Sequence, residues 1–162
     1  MFETIQILFN YNVWAQGRIL EVLAEVSEEE FLRELPEGAG SIRNKLAHIM
    51  AAEDVWLQRI HKKDSPRMIQ PPEIDSKEVL ISKISQTHSE LEKLISSLDE
   101  TKLQEGYRYK NLKGQEFESK LFEILLHVLN HGTYHRGQVA SLIRRIKGKP
   151  PVTDMIEFFR SK

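Results

Sequence analysis

The sequence contains no cysteine. That excludes disulfides and thiolate ligands, and leaves His, Asp and Glu as the side chains able to hold a metal. It has no charge excess: 23 Lys and Arg stand against 24 Asp and Glu, so no global field draws nucleic acid or an anionic membrane. No apolar run approaches the ~20 residues needed to span a bilayer. The opening Met1-Phe2-Glu3-Thr4 lacks the basic stretch and continuous apolar core of a signal peptide. A cytoplasmic protein with neither nucleic-acid nor membrane partners is the expectation. The one basic run, Arg144-Arg145-Ile146-Lys147-Gly148-Lys149, falls at a helix end, where it complements the macrodipole. Repeats, low-complexity segments and linkers are also missing. With 162 residues, 40% of them hydrophobic, the chain reads as one domain over 1–162.

Apolar periodicity predicts an all-α, four-helix bundle. In the first helix Phe2, Ile5, Phe9, Val13, Ile19 or Leu20, and Leu23 recur at three- and four-residue spacing to about Val26. Ser27-Glu28-Glu29-Glu30 is a capping-box signature for a short helix around Phe31, which Pro36 and Gly38 terminate. The second long helix starts at the N-cap Ser41 and places Ile42, Leu46, Ile49, Trp56 and Ile60 on one stripe. Residues 62 to 75 hold three prolines and read as a crossing loop. The third helix runs from Asp75 or Ser76 to about Leu98. Alternation on either side of Asn111-Leu112-Lys113-Gly114 predicts a small β-hairpin between Gly106 and Glu118, leaning on the helices. The fourth helix spans about 119 to 147, closed by Gly148 and Pro150-Pro151. Thr153 is expected to cap a last turn that carries Met155, Ile156, Phe158 and Phe159 onto the core.

Chemistry concentrates in His127-Val-Leu-Asn-His131-Gly-Thr-Tyr-His135, with imidazoles at i, i+4 and i+8. Residues four apart share a helix face with Cβ atoms roughly 6 Å apart, so both can reach one metal at about 2.0–2.1 Å. The zincin motif is absent, because Gly132 stands where its catalytic Glu would follow the first His. Each step of four turns about 40° on a helix. His131 and His135 lie at the edge of the inward stripe, and His127 turns outward to solvent or a supporting position. His48, beside Ala51, Ala52 and Val55, has room to point between helices as a third ligand. Three such ligands leave a tetrahedral position open for water or substrate. The same spacing also occurs on solvated helix faces, and spacing alone leaves both readings open. His61 and His88 sit among polar neighbours and read as solvent-facing. Glu53 and Asp54 are candidates to accept a ligand histidine's second N–H. Gly132 is costly inside a helix by about 1 kcal/mol. It implies close approach of a neighbouring helix or substrate, and Gly137 is read as pointing to a site nearby.

The string His131-Gly132-Thr133-Tyr134-His135-Arg136-Gly137-Gln138 resembles the signature of the DinB family. Tyr11-Asn12-Val13-Trp14-Ala15, Leu46-Ala47-His48-Ile49 and Pro150-Pro151-Val152-Thr153-Asp154 agree with it, so the likeness extends along the whole chain. The resemblance implies a four-helix bundle holding nickel or zinc through three histidines, by matching position His48, His131 and His135. It implies no DNA contact. Some relatives use low-molecular-weight thiols, as bacillithiol or glutathione transferases or as a mycothiol-dependent isomerase; others are hydrolases. The expectation is a metal-dependent enzyme that transfers a thiol of the bacillithiol type to a small electrophilic substrate. A metal-dependent hydrolase and a non-enzymatic metal-binding bundle are the alternatives. Asn12, Trp14, Trp56 and His127 are candidate pocket or supporting residues, with core packing the alternative for the two tryptophans. Asn12 interrupts an apolar stripe and is expected within reach of water or substrate at the metal. A homodimer is expected too, burying Ile7, Leu8, Val22 and Val26, which flank the main stripe of the first helix.

Overall fold

The computed structural model describes residues 1–62, 66–111 and 113–161. Among them four helices are long: α1 (Phe2–Leu23), α3 (Ile42–Ile60), α4 (Lys77–Ser96) and α6 (Leu121–Lys147). Three are short: α2 (Glu28–Leu32), α5 (Glu100–Leu103) and α7 (Met155–Arg160). Strands β1 (Gly106–Lys110) and β2 (Glu116–Lys120) form an antiparallel hairpin with Tyr107 opposite Ser119 and Tyr109 opposite Phe117.

Serines begin three helices, because each hydroxyl accepts a backbone N–H that a helix start leaves orphaned. Ser41 Oγ accepts from Asn44 N at 3.1 Å and Ser76 Oγ from Val79 N at 3.2 Å. At Ser27 both halves of the capping box form, with Glu30 Oε2 accepting from Ser27 N at 2.8 Å. α6 ends at Gly148, whose φ of 78° is the left-handed cap that favours glycine. The basic residues of its last turn meet the carbonyl end of the helix, and Lys147 Nζ pairs with Glu30 Oε2 at 2.8 Å.

Several boundaries differ from expectation. α1 stops at Leu23, where Glu25 N and Val26 N turn to the carbonyls three residues back. α4 stops at Ser96 for the same reason. The following α5, capped by Asp99, is too short to show a period and was not anticipated. The proline-rich loop contains a 3-10 turn at Pro71–Glu73; its residues 63–65, and Leu112 of the expected hairpin loop, lie outside the described residues. Thr153 does not cap α7. Asp154 precedes the helix, and the Thr153 carbonyl accepts from Tyr11 Oη at 2.8 Å. Phe158 turns inward, whereas Ile156 and Phe159 are exposed.

α6 packs on α3 and α1, and α4 packs on the same two helices from the opposite side. The apolar interior falls into two main clusters, one at each end. One joins Leu23, Phe31, Leu46, Leu80 and Ile143; the other joins Ile5, Leu57, Leu91, Leu103 and Leu125. Truncating one such leucine costs about 2–5 kcal/mol. Between the clusters, near the middle of each long helix, lies a belt of buried polar side chains: Asn12 and Gln16, Glu53, Thr87 and Arg136. The belt corrects two stripes. On α1, Asn12 and Gln16 face inward while Val13 is exposed. On α3, Glu53 and Leu57 continue the buried stripe and Trp56 sits half-buried beside it.

The flanking residues offered for a dimer are used within the chain. Val26 is buried in the first apolar cluster, and Val22, Leu8 and Ile7 pack against core residues.

Candidate metal centre

His48 on α3 meets His131 and His135 on α6, and one ring nitrogen of each lies within 4.8 Å of the other two. Nε2 of His48 and Nε2 of His131 are 3.2 Å apart. Two nitrogens bound at 2.0–2.1 Å to one tetrahedral metal are separated by about 3.3–3.4 Å, so this pair already has the spacing of metal ligands. His135 Nδ1 donates to Gln138 Oε1 at 3.0 Å, because an amide oxygen can only accept. In the tautomer with the proton on Nδ1, Nε2 carries the lone pair, the arrangement a ligand histidine needs. The donor set, three imidazoles without thiolate or carboxylate, suits zinc, nickel or copper.

The electrostatics favour the neutral form of His131 and His48. Burial, then the neighbouring His135, His48 and His127, push His131 down to about 4. Burial and His135 also lower His48. An uncharged imidazole is the form that binds a metal.

His127 is exposed, its ring 5.9 Å from that of His131, and it stands outside the group of three. The two tryptophans part company. Trp56 lies 5.6 Å from the His127 ring and lines a cavity of about 400 Å³ that also opens on His48 and His131. Trp14 packs instead with Tyr11 and Phe158 at centroid distances of 6.3 and 5.8 Å, where α1 meets α7.

Asn12 is buried and engaged by protein groups at both ends of its amide. Nδ2 donates to the Leu8 carbonyl at 2.8 Å, and Oδ1 accepts from Arg136 Nη2 at 2.6 Å. Arg136 Nη2 also donates to Thr133 Oγ1 at 3.0 Å. A Cβ at Gly132 would lie 2.9 Å from both Asn12 Oδ1 and Arg136 Nη1. The glycine is thus explained by an approaching helix. Gly137 faces open space and carries no such information.

Other expectations about supporting groups fail. Glu53 Oε2 is 3.5 Å from His88 Nε2, and Asp54 Oδ2 accepts from Gln58 Nε2 at 2.6 Å, so neither carboxylate serves a clustered histidine. His88, expected in solvent, is half-buried beside Glu53, whereas His61 is exposed. Arg136, Gln138 and Arg59 were not singled out. Arg136 and Gln138 stand in the motif itself, and Gln138 sits one turn after His135.

Comparison with known proteins agrees with this architecture. The family model described as DinB family matches residues 1–162. Protein DinB of Bacillus subtilis (strain 168) is 25% identical over 148 residues, covering 85% of this chain and 83% of that protein. A conserved protein from Enterococcus faecalis, known by crystal structure, superposes with a TM-score of 0.69 at 14% identity. That match covers 89% of this chain and 97% of the other, a likeness of fold.

Proposed function

We propose that this chain, which belongs to the DinB family, is a metal-dependent enzyme transferring a low-molecular-weight thiol of the bacillithiol type to a small electrophilic substrate. The carrying observation is the set of three imidazole nitrogens within 4.8 Å, two of whose residues, His48 and His131, border a cavity of about 400 Å³. His48, His131 and His135 would hold the metal, zinc or nickel. When bound, the metal lowers the pKa of a thiol or water at the site.

The residues around it favour the thiol. Among the described residues, the cavity wall carries no carboxylate to take a proton from water. A thiol ionises near neutrality without a strong base, and His127, exposed on that wall, is a proton acceptor within the site. With no cysteine in the chain, the thiol must arrive as cosubstrate. Gln138 fixes the His135 ring, and Trp56 supplies an apolar wall.

The frame is read as one four-helix bundle domain over 1–162, formed by α1, α3, α4 and α6, which neighbour one another in a closed ring. No helix among the described residues is long and apolar enough to cross a membrane; a cytoplasmic setting suits a reduced thiol. A homodimer is also proposed, now through exposed apolar residues such as Leu126 and Tyr134 on α6. Light scattering giving the mass of one chain at tens of micromolar overturns it.

The activity is tested with monobromobimane and the zinc- or nickel-loaded protein, with and without bacillithiol. Conjugation that requires both metal and thiol is expected. Metal-dependent turnover indifferent to thiol would make the protein a hydrolase, and bound metal without turnover would make it a binding module.

A further inference from the structure

The cavity that borders His48 and His131 runs along one face of α3, through His48, Ala52, Val55, Trp56 and Arg59. These positions follow the i, i+4, i+7, i+8, i+11 pattern that keeps side chains aligned on a helix. Eleven residues span roughly 16 Å of axis. Helical side chains lean toward the N-terminus, and Arg59 does so: its guanidinium carbon lies 4.5 Å from the Trp56 ring centroid and 5.6 Å from that of Tyr109. The guanidinium is thereby held between an α3 ring and a hairpin ring, pointing back toward the histidines.

Held in place, Arg59 meets no anion among the described residues, and its buried Nε has no hydrogen-bond partner. A buried guanidinium donor left unmet costs free energy. The larger groove along the hairpin, about 1080 Å³, shares Arg59 and adds Lys62, but its hairpin charges are already matched: Arg108 with Glu118 at 2.9 Å and Lys110 with Glu116 at 3.4 Å. In the smaller cavity the charged residues among the described lining are Arg59 and Lys113, both cationic.

We infer that this cavity binds a small carboxylate-bearing molecule, with the carboxylate on Arg59, the apolar body against Trp56 and Val55, and the far end at the three histidines. A planar guanidinium suits a carboxylate through two parallel N–H donors. At about 400 Å³ the cavity falls at the small end of the range for ligand sites. The inference rests on the reading of the histidines as the reactive end, and extends it by naming the charge of the substrate.

The test is a tryptophan-fluorescence titration of the full chain, zinc-loaded and zinc-stripped, with 4-phenylbutyrate and with its neutral amide. The wild type is expected to bind the acid at least about tenfold more tightly than the amide in both metal states. R59Q is expected to lose that preference while keeping the wild-type zinc content, and R59K to keep part of it. Equal affinity of the wild type for acid and amide, or no binding of either at millimolar concentration, overturns the inference. So does a preference that survives in R59Q, which would put the carboxylate on the metal or on Lys113. If the chain takes up no zinc, the proposed enzyme fails by itself, and the acid preference of the metal-free protein still decides this inference.

Discussion

Two polar groups enter the interior from adjacent positions of α6, and the protein meets them differently. Arg136 is 2% exposed, and burial pulls its pKa below the usual arginine value against the opposing charge of Glu53, yet Asn12 and Thr133 receive its Nη2 at 2.6 and 3.0 Å. One residue earlier, His135 joins His48 and His131, whose Nε2 atoms face each other at 3.2 Å with no carboxylate in the group among the described residues. The first group is met within the chain, because Arg136 Nη2 ends on two protein acceptors. The second brings three ring nitrogens within 4.8 Å of one another, with no opposite charge in the group among the described residues. Burial of the first kind holds helices in register, whereas burial of the second kind prepares a site for a cation.

Breaking the Arg136 group has the largest expected effect on stability. Arg136→Met removes the donor from Asn12 and the charge beside Glu53, and is expected to cost on the order of 3–5 kcal/mol in urea unfolding. A cost below about 1 kcal/mol would show that the arginine is not what holds α1 to α6. Asn12→Ala leaves one guanidinium donor unmet and is expected to cost about 2 kcal/mol. Gly132→Ala pushes a methyl group against both partners and is expected to cost about 1–3 kcal/mol. Zinc content of the folded fraction should stay at the wild-type level in both variants.

The histidine group should respond in the opposite way. In the metal-free protein His131→Ala is expected to shift stability by less than about 1 kcal/mol, since function rather than folding requires the ring. A loss as large as that of Arg136→Met would erase the distinction between the two groups.

The smallest effect belongs to a remote control. Hydrogen bonds from Lys147 and from the Ser27 backbone hold the Glu30 carboxyl down at about 2, from its usual 4.5. A depressed carboxyl contributes stability that is fully present above 4.5 and is lost as pH falls toward about 2. Glu30→Gln should flatten the acid side of the stability profile in that window and leave zinc binding at neutral pH unchanged.

The same contrast explains what the sequence revealed. Ser27, Ser41 and Ser76 act through their nearest neighbours in the chain, so the helix starts were legible. The i, i+4 spacing of His131 and His135 is local too, and it brought the ligand candidates within reach. Asn12 broke the α1 stripe because Arg136 of α6 compensates its burial, which no local pattern records. Arg136 reads as a surface arginine until α1 delivers Asn12. Arg59 needed Tyr109 from the hairpin, fifty residues later in the chain, before its position acquired meaning. His88 likewise looked solvated until α3 brought Glu53 beside it.

Zinc titration with elemental analysis of the untagged protein and four single variants tests the central claim most directly. The account predicts one zinc per chain for the wild type and for His127→Ala, none for His131→Ala or His135→Ala, and greatly weakened binding for His48→Ala. Loss of zinc in His127→Ala together with full binding in His48→Ala would contradict it, as would a wild-type protein that takes up less than about a tenth of an equivalent after reconstitution.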